Sequence, residues 1–184
     1  MKKLNFVFIP LTTTLLSGCF FTDLFQNKDV RNFNNIVEKD YSSFVIKVTT
    51  NNNGDELNST YNIKKENGEY AISYSRQKYN AIDLNSSTVP DTAISTEIGE
   101  YKTNDARLNL SRFKFSEDDF KSYSFNSGSF TGKIDDAKNY LGADYSCLNF
   151  EITFKYSDYL SEIEMSYTMT DSISCKILIN NFTL

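Results

Sequence analysis

The chain carries no histidine, which removes at once the usual general base, the commonest metal ligand and the Ser-His and Cys-His pairings of nucleophilic catalysis. Few residues with reactive potential remain. The adjacent acids Asp118-Asp119 and Asp135-Asp136 have the chemistry to hold a cation or move a proton. Glycoside cleavage, however, needs carboxylates that face each other across a cleft, and adjacency along the chain does not provide that. Aspartates are common at helix starts and turns, and both pairs read as solvated acids of that kind. No serine sits in a Gly-x-Ser-x-Gly elbow, and phosphate-cradling glycine loops, Cys-x-x-Cys metal motifs and the calcium-loop pattern are absent. The sequence therefore predicts a protein that is not an enzyme, with no cofactor, no metal and no catalytic residues. Thiols complete the inventory: Cys19, Cys147 and Cys175.

The setting of Cys19 is distinctive. Lys2 and Lys3 precede an uncharged stretch from Leu4 to Gly18 in which Phe6, Val7, Phe8, Ile9, Leu15 and Leu16 supply the apolarity, the pattern of a secretory signal peptide. A membrane-spanning helix needs about 20 predominantly apolar residues, whereas this stretch is shorter and contains Pro10 and the run Thr12 to Thr14. Its end, Leu16-Ser17-Gly18-Cys19, resembles the lipobox of bacterial lipoproteins. That resemblance implies a diacylglyceryl group, with palmitate-type chains, on the Cys19 thiol and cleavage on its N-terminal side. At about 0.8 kcal/mol per buried methylene, two acyl chains anchor a protein stably whatever its fold. The expected location is the bacterial cell membrane, lipid-anchored on the extracytoplasmic face.

Cleavage removes two lysines and no acid, so a formal net charge of −5 becomes two units more negative. Basic residues are scattered among a larger number of acids, the opposite of the clustered cations that displace counterions from a phosphate backbone, and nucleic acid is excluded as a partner. The expected organisation is a signal peptide over residues 1–18, a lipid-anchored tether over 19–27 and one domain over 28–184. In the tether, Phe20, Phe21, Leu24 and Phe25 could settle at the membrane interface or touch the domain.

Within the domain, Val30, Phe33, Val37 and Tyr41 recur at intervals of three and four, which predicts an amphipathic helix over 28–41 with Asn34 among its polar residues. The period then changes to two. Phe44, Ile46 and Val48 make a first strand, Tyr61 and Ile63 a second, and Tyr70, Ile72 and Tyr74 a third, with turns at Asn51 to Asp55 and at Asn67-Gly68. Residues 85–96 read as an exposed loop, Arg107 to Phe115 as a strand, Glu117-Asp118-Asp119 as a helical turn, Gly128 to Gly132 as a strand and Ile134 to Leu141 as a short helix. Alternation is clearest at the end. Leu148, Phe150, Ile152 and Phe154, then Ile163, Met165 and Tyr167, then Ile173, Cys175, Ile177 and Ile179 predict an antiparallel meander with one apolar face.

The fold class expected is α+β: a curved antiparallel sheet, a half-open barrel, with one or two helices on its apolar face. A helix running into Phe44-Val45-Ile46-Lys47-Val48, the Asn67-Gly68 hairpin and the terminal strand from Ile173 to Phe182 resemble the LolA-like lipoprotein-carrier fold. That resemblance implies a concave apolar surface able to hold acyl chains; it carries over no site residues, so the ligand-binding residues stay unknown. Inward positions Phe44, Ile46, Tyr70, Ile72, Phe150, Ile152, Ile163 and Ile177 are expected to line a cavity or to fill a dry core. The function expected is noncatalytic binding or carriage of a hydrophobic ligand such as lipid; the alternative is a surface-tethered module for a protein or polymer partner of unknown identity. Cys147 and Cys175 are expected to stay unbridged, because the strand bearing Ile163 lies between theirs.

Overall fold

A computed structural model describes residues 27–79, 94–126, 128–134, 138–141, 148–170 and 173–184. The signal peptide, Cys19 and the rest of the tether up to residue 26, Asp135-Asp136, Cys147 and residues 85–93 of the expected loop lie outside the described residues.

Helix α1, Lys28–Val37, begins where the Asn27 side chain accepts the backbone N–H of Asp29 at 2.9 Å, satisfying one of the donors that every helix start leaves open. Val30, Phe33 and Val37 are buried, and so is Asn34. The helix stops four residues earlier than its periodicity predicts. Tyr41, expected on its last turn, instead turns back: its hydroxyl donates to the Ile36 carbonyl at 2.9 Å and accepts the Leu160 amide at 2.8 Å.

Among the described residues nine strands follow: β1 Ser43–Asn52, β2 Asp55–Glu66, β3 Glu69–Tyr79, β4 Ile94–Thr103, β5 Ser122–Asn126, β6 Ser129–Ile134, β7 Leu148–Tyr156, β8 Leu160–Thr170 and β9 Ile173–Thr183. They form one antiparallel sheet in the order β4-β3-β2-β1-β9-β8-β7-β6-β5, not closed into a barrel. Asn53-Gly54 and Asn67-Gly68 carry the two hairpins with positive φ at all four residues, the turn geometry whose twist matches that of paired strands. The C-terminal meander has the predicted order, with Ile163 of β8 paired between Phe154 of β7 and Ile179 of β9.

Several expectations are corrected. Ile94 to Thr96 belong to β4 and not to a loop, and β5 was not foreseen. Ile134 ends a strand, leaving helix α2 as the single turn Lys138–Leu141. Leu148 is exposed although it shares the parity of Phe150, because Asn149 takes a positive φ and breaks the register between Leu148 and Glu151. Arg107 to Phe115 is not a strand but two 3-10 turns, Ala106–Leu108 and Leu110–Phe113. Asp105 and Asn109 capture the N–H groups of Arg107 and Ser111, local bonds that compete with a strand ladder, and Leu110 and Phe113, three apart, point together into the core. A further turn at Glu117–Asp119, as predicted, is closed by Ser116 and Asp119.

These turns belong to a crossover, residues 104–121, that leads from β4 at one edge of the sheet to β5 at the other. It passes over the apolar face beside α1. The Asn34 amide joins the two: Nδ2 donates to the Phe115 carbonyl at 2.9 Å and Oδ1 accepts its N–H at 3.1 Å.

Candidate functional site

What lies on the apolar face divides it into two halves. Over β5 to β8 the face is sealed. Phe33 of α1 and Phe113, Phe115 and Phe120 of the crossover stack onto it, with ring centroids 4.5 Å apart for Phe33–Phe154 and for Phe115–Phe130. Gly132 of β6 makes room for this layer: a Cβ there would stand 2.3 Å from the Phe120 ring. Phe150, Ile152 and Ile163, expected to line a cavity, are buried in this packed half. Interiors of this kind are close-packed, with few voids.

Over β1 to β3 the same face continues apolar but, among the described residues, is only half covered. Direct pairing carries the inward side across the strands, from Ile179 to Ile46 to Tyr61 and from Ile177 to Val48. Phe44, Ile63 and Ile72 are buried, whereas Ile46, Val48, Tyr61, Tyr70 and Ile177 are half-buried. Where this half meets the covering layer there is a cleft of about 450 Å³, lined by Phe44, Tyr70, Tyr41, Leu108 and Leu110 and by the polar Glu38, Lys39, Asp40, Lys65, Asn109 and Ser111. Its rim is charged. Lys65 binds Asp40 at 2.6 Å, and this contact holds the Lys65 amine above its usual range.

Toward the free edge the face becomes aromatic and polar. Tyr74 lies 6.0 Å from both Tyr61 and Tyr101. It rests over Gly99, whose missing side chain makes the space, since a Cβ there would lie 2.5 Å from the Tyr74 oxygen. Its hydroxyl donates to Glu97 at 2.8 Å, and Arg76 and Lys78 also bind Glu97. Lys78, Tyr74 and Arg76 together hold the Glu97 carboxyl down at about 2.

The opposite face of the same strands has a shallow concavity of about 660 Å³, with Ala71 and Ser73 among its lining and Lys64, Lys102 and Glu100 around it. Register places these residues on the side facing away from Phe44, Ile63 and Ile72.

The candidate acids do not converge. Asp118 and Asp119 sit on the exposed crossover turn, where Asp119 accepts the Ser116 N–H at 2.7 Å. The chain has two Ser-x-x-Lys spacings, Ser75 to Lys78 and Ser111 to Lys114. In β3 that odd separation sends the two side chains to opposite faces, and Lys114 is held by Glu38 at 2.5 Å. Among the described residues no group of three or more histidine, cysteine or acidic side chains could hold a metal ion, and no helix is long and apolar enough to cross a membrane. Cys175 is a buried free thiol on the inward side of β9.

Sequence reasoning missed Asn34 and Glu97. Asn34 reads as solvated because it is the one polar residue in a buried stripe. Glu97 follows directly on the expected loop over 85–96, in a stretch for which no element is predicted, although the alternation of Tyr74, Arg76 and Lys78 marks a polar strip that needs an acid. Comparison of the chain with protein-family models, curated proteins and solved structures finds no match.

Proposed function

We propose that the protein is a membrane-tethered, noncatalytic binding domain that takes a hydrophobic ligand such as a lipid acyl chain on the uncovered half of its apolar face. In this reading Cys19 carries the anchor, the sheet acts as a half-open barrel, and α1 with the crossover covers one side of it. One observation carries the reading: among the described residues an apolar face continues past the layer that covers it, leaving Ile46, Val48, Tyr61, Tyr70 and Ile177 half-buried, and Tyr70 also lines a cleft of about 450 Å³ at the border of that layer. Contiguous exposed apolar surface commonly marks an interaction site.

Isoleucine methyl NMR tests the location. Titration with a twelve-carbon amphiphile is expected to shift Ile46 and Ile177 and to leave Ile152 and Ile163 in place. Uniform shifts, or none, would contradict the reading.

A second reading, an interaction module for a protein or polymer, is favoured by β4. Among the described residues no strand pairs with its outer edge, and Ile98 on it is 80% exposed. Exposed edges of this kind accept added strands. Slowed amide exchange confined to β4 on partner binding would favour that reading.

A further inference from the structure

The two sides of the sheet offer different chemistry to a surface. On the side turned away from the core, charges are close-set and paired: Lys133 with Glu151, Lys155 with Glu162, Lys176 with Glu164, and Lys64 and Lys102 with Glu66. Laying that side on an apolar surface would strip water from all of them, which is costly. The core side is different at its free edge. Direct pairing carries one row from Ile46 of β1 to Tyr61, Tyr74 and Gly99, and the Tyr101 ring, 49% exposed, lies 6.0 Å from that of Tyr74. Three tyrosines thus stand side by side over β2 to β4, at the outer end of the uncovered half.

Tyrosine joins an apolar ring to a polar tip, which suits it to the level where hydrocarbon gives way to headgroups. Lysine and arginine stems lie along apolar surface while their charges stay wet. On this side of β1 to β4, register places the basic Lys65, Arg76 and Lys78 and the acidic Asp55 and Glu97, so the strip does not share the negative balance of the whole chain.

The reach of the anchor selects the same side. Helix α1 lies on the core side, where Val30 and Phe33 are buried and the Phe33 ring stands 4.5 Å from that of Phe154 on β7. Cys19 precedes Asn27 by eight residues, and eight extended residues span at most about 29 Å. Four strand spacings separate β7 from β2, about 19 Å. A lipid on Cys19 therefore holds a bilayer within reach of the core side, and the tyrosine strip falls inside that span. The covering layer stands on β5 to β8, which leaves the free edge as the part of this side whose strand side chains meet a surface.

We infer that Tyr61, Tyr74 and Tyr101 form a docking strip that rests the core side of the sheet on the headgroup region of the bilayer holding the Cys19 anchor. This rests on the tethered reading proposed above and adds the orientation of the domain: the uncovered half opens toward the membrane that supplies its ligand.

The test places the mature lipidated protein on nanodiscs of neutral phosphatidylcholine doped with a lipid whose headgroup chelates gadolinium, and observes tyrosine ring and isoleucine methyl resonances. The ring signals of Tyr74 and Tyr101 are expected to be lost to broadening, together with the methyl of Ile72, the cross-strand partner of Tyr101. The methyl of Ile98, on the same strand as Tyr101 but 80% exposed on the opposite side, is expected to survive. A Tyr74→Ser, Tyr101→Ser double variant that keeps a cooperative melt should stay on the disc through its anchor and recover the Ile72 signal. Loss of Ile98 together with Tyr101, loss of neither, or an Ile72 signal still missing in the folded double variant overturns the docking strip while leaving the anchor and the apolar site standing. Protein that does not join the disc at all overturns the tethered reading along with the strip. The amphiphile titration described above, done without a bilayer, reads the apolar site separately from both.

Discussion

Asn34 and Phe115, 81 residues apart, bind each other as two strands would: the side-chain amide of one pairs with both backbone groups of the other, at 2.9 and 3.1 Å, inside the core. This contact ties the helix to the crossover. Replacing Asn34 by Ala removes two hydrogen bonds from the buried backbone of Phe115, at a cost of about 2–4 kcal/mol. The expected result is a lower urea midpoint with an unchanged slope. A midpoint within error of wild type would show that water replaces the amide.

Two glycines differ in what a methyl group would meet. At Gly132 a Cβ would strike the buried Phe120 ring at 2.3 Å and Phe130 at 2.9 Å, so Gly132→Ala is expected to destabilise by about 1–3 kcal/mol through overpacking. At Gly99 the obstacle is the phenol end of Tyr74, which can swing toward solvent. Gly99→Ala should therefore change thermal stability little while breaking the bond from Tyr74 to Glu97. Thermal melts of the two variants side by side check the contrast.

The C-terminal meander and the two Asn-Gly hairpins were legible in the sequence because alternation and turn chemistry are local. The crossover was not. Its Leu108, Leu110, Phe113 and Phe115 look like strand positions until Asp105 and Asn109 are seen to take the backbone N–H groups. The division of the apolar face was also hidden, because Ile46 and Ile152 share the same pattern and differ only in whether a distant segment lies over them. Asn34 shows the same limit: its partner lies beyond any local window.

Glu97 gives a pH dependence of definite sign. Lys78, Tyr74 and Arg76 lower its carboxyl from 4.5 to about 2. A depressed folded value means that its contribution to stability is complete above about pH 4.5 and is lost as pH falls toward 2. The pairs are solvent-facing, so the effect should be small and weakened by salt. Carboxyl carbon shifts of Glu97 followed through this range check it, and Glu97→Gln should flatten the stability profile there.

Cys175 should resist thiol reagents until the domain unfolds, since it is 7% exposed. It should also stay unbridged to Cys147. The strand that follows Cys147 in sequence, β7, is separated from β9 by β8, and two strand spacings, about 9.5 Å, exceed the roughly 7 Å limit between bridged α-carbons. A Cys147–Cys175 peptide in a non-reducing map would contradict this.

Membrane attachment is expected to depend on one sulfur. Metabolic labelling with a radioactive fatty acid should mark the wild type and not Cys19→Ala. Label retained on the variant would place the anchor elsewhere.

Lipid retention by the native protein is the most direct test of the central claim. The mature chain is purified from the membrane of its own host in mild detergent and examined by native mass spectrometry, beside a Val48→Glu variant that keeps a cooperative melt. The wild type is predicted to carry one noncovalent lipid beyond its covalent anchor, and Val48→Glu, which places a charge in the uncovered half, to lose it. Folded wild-type protein that never retains such a lipid would contradict the account.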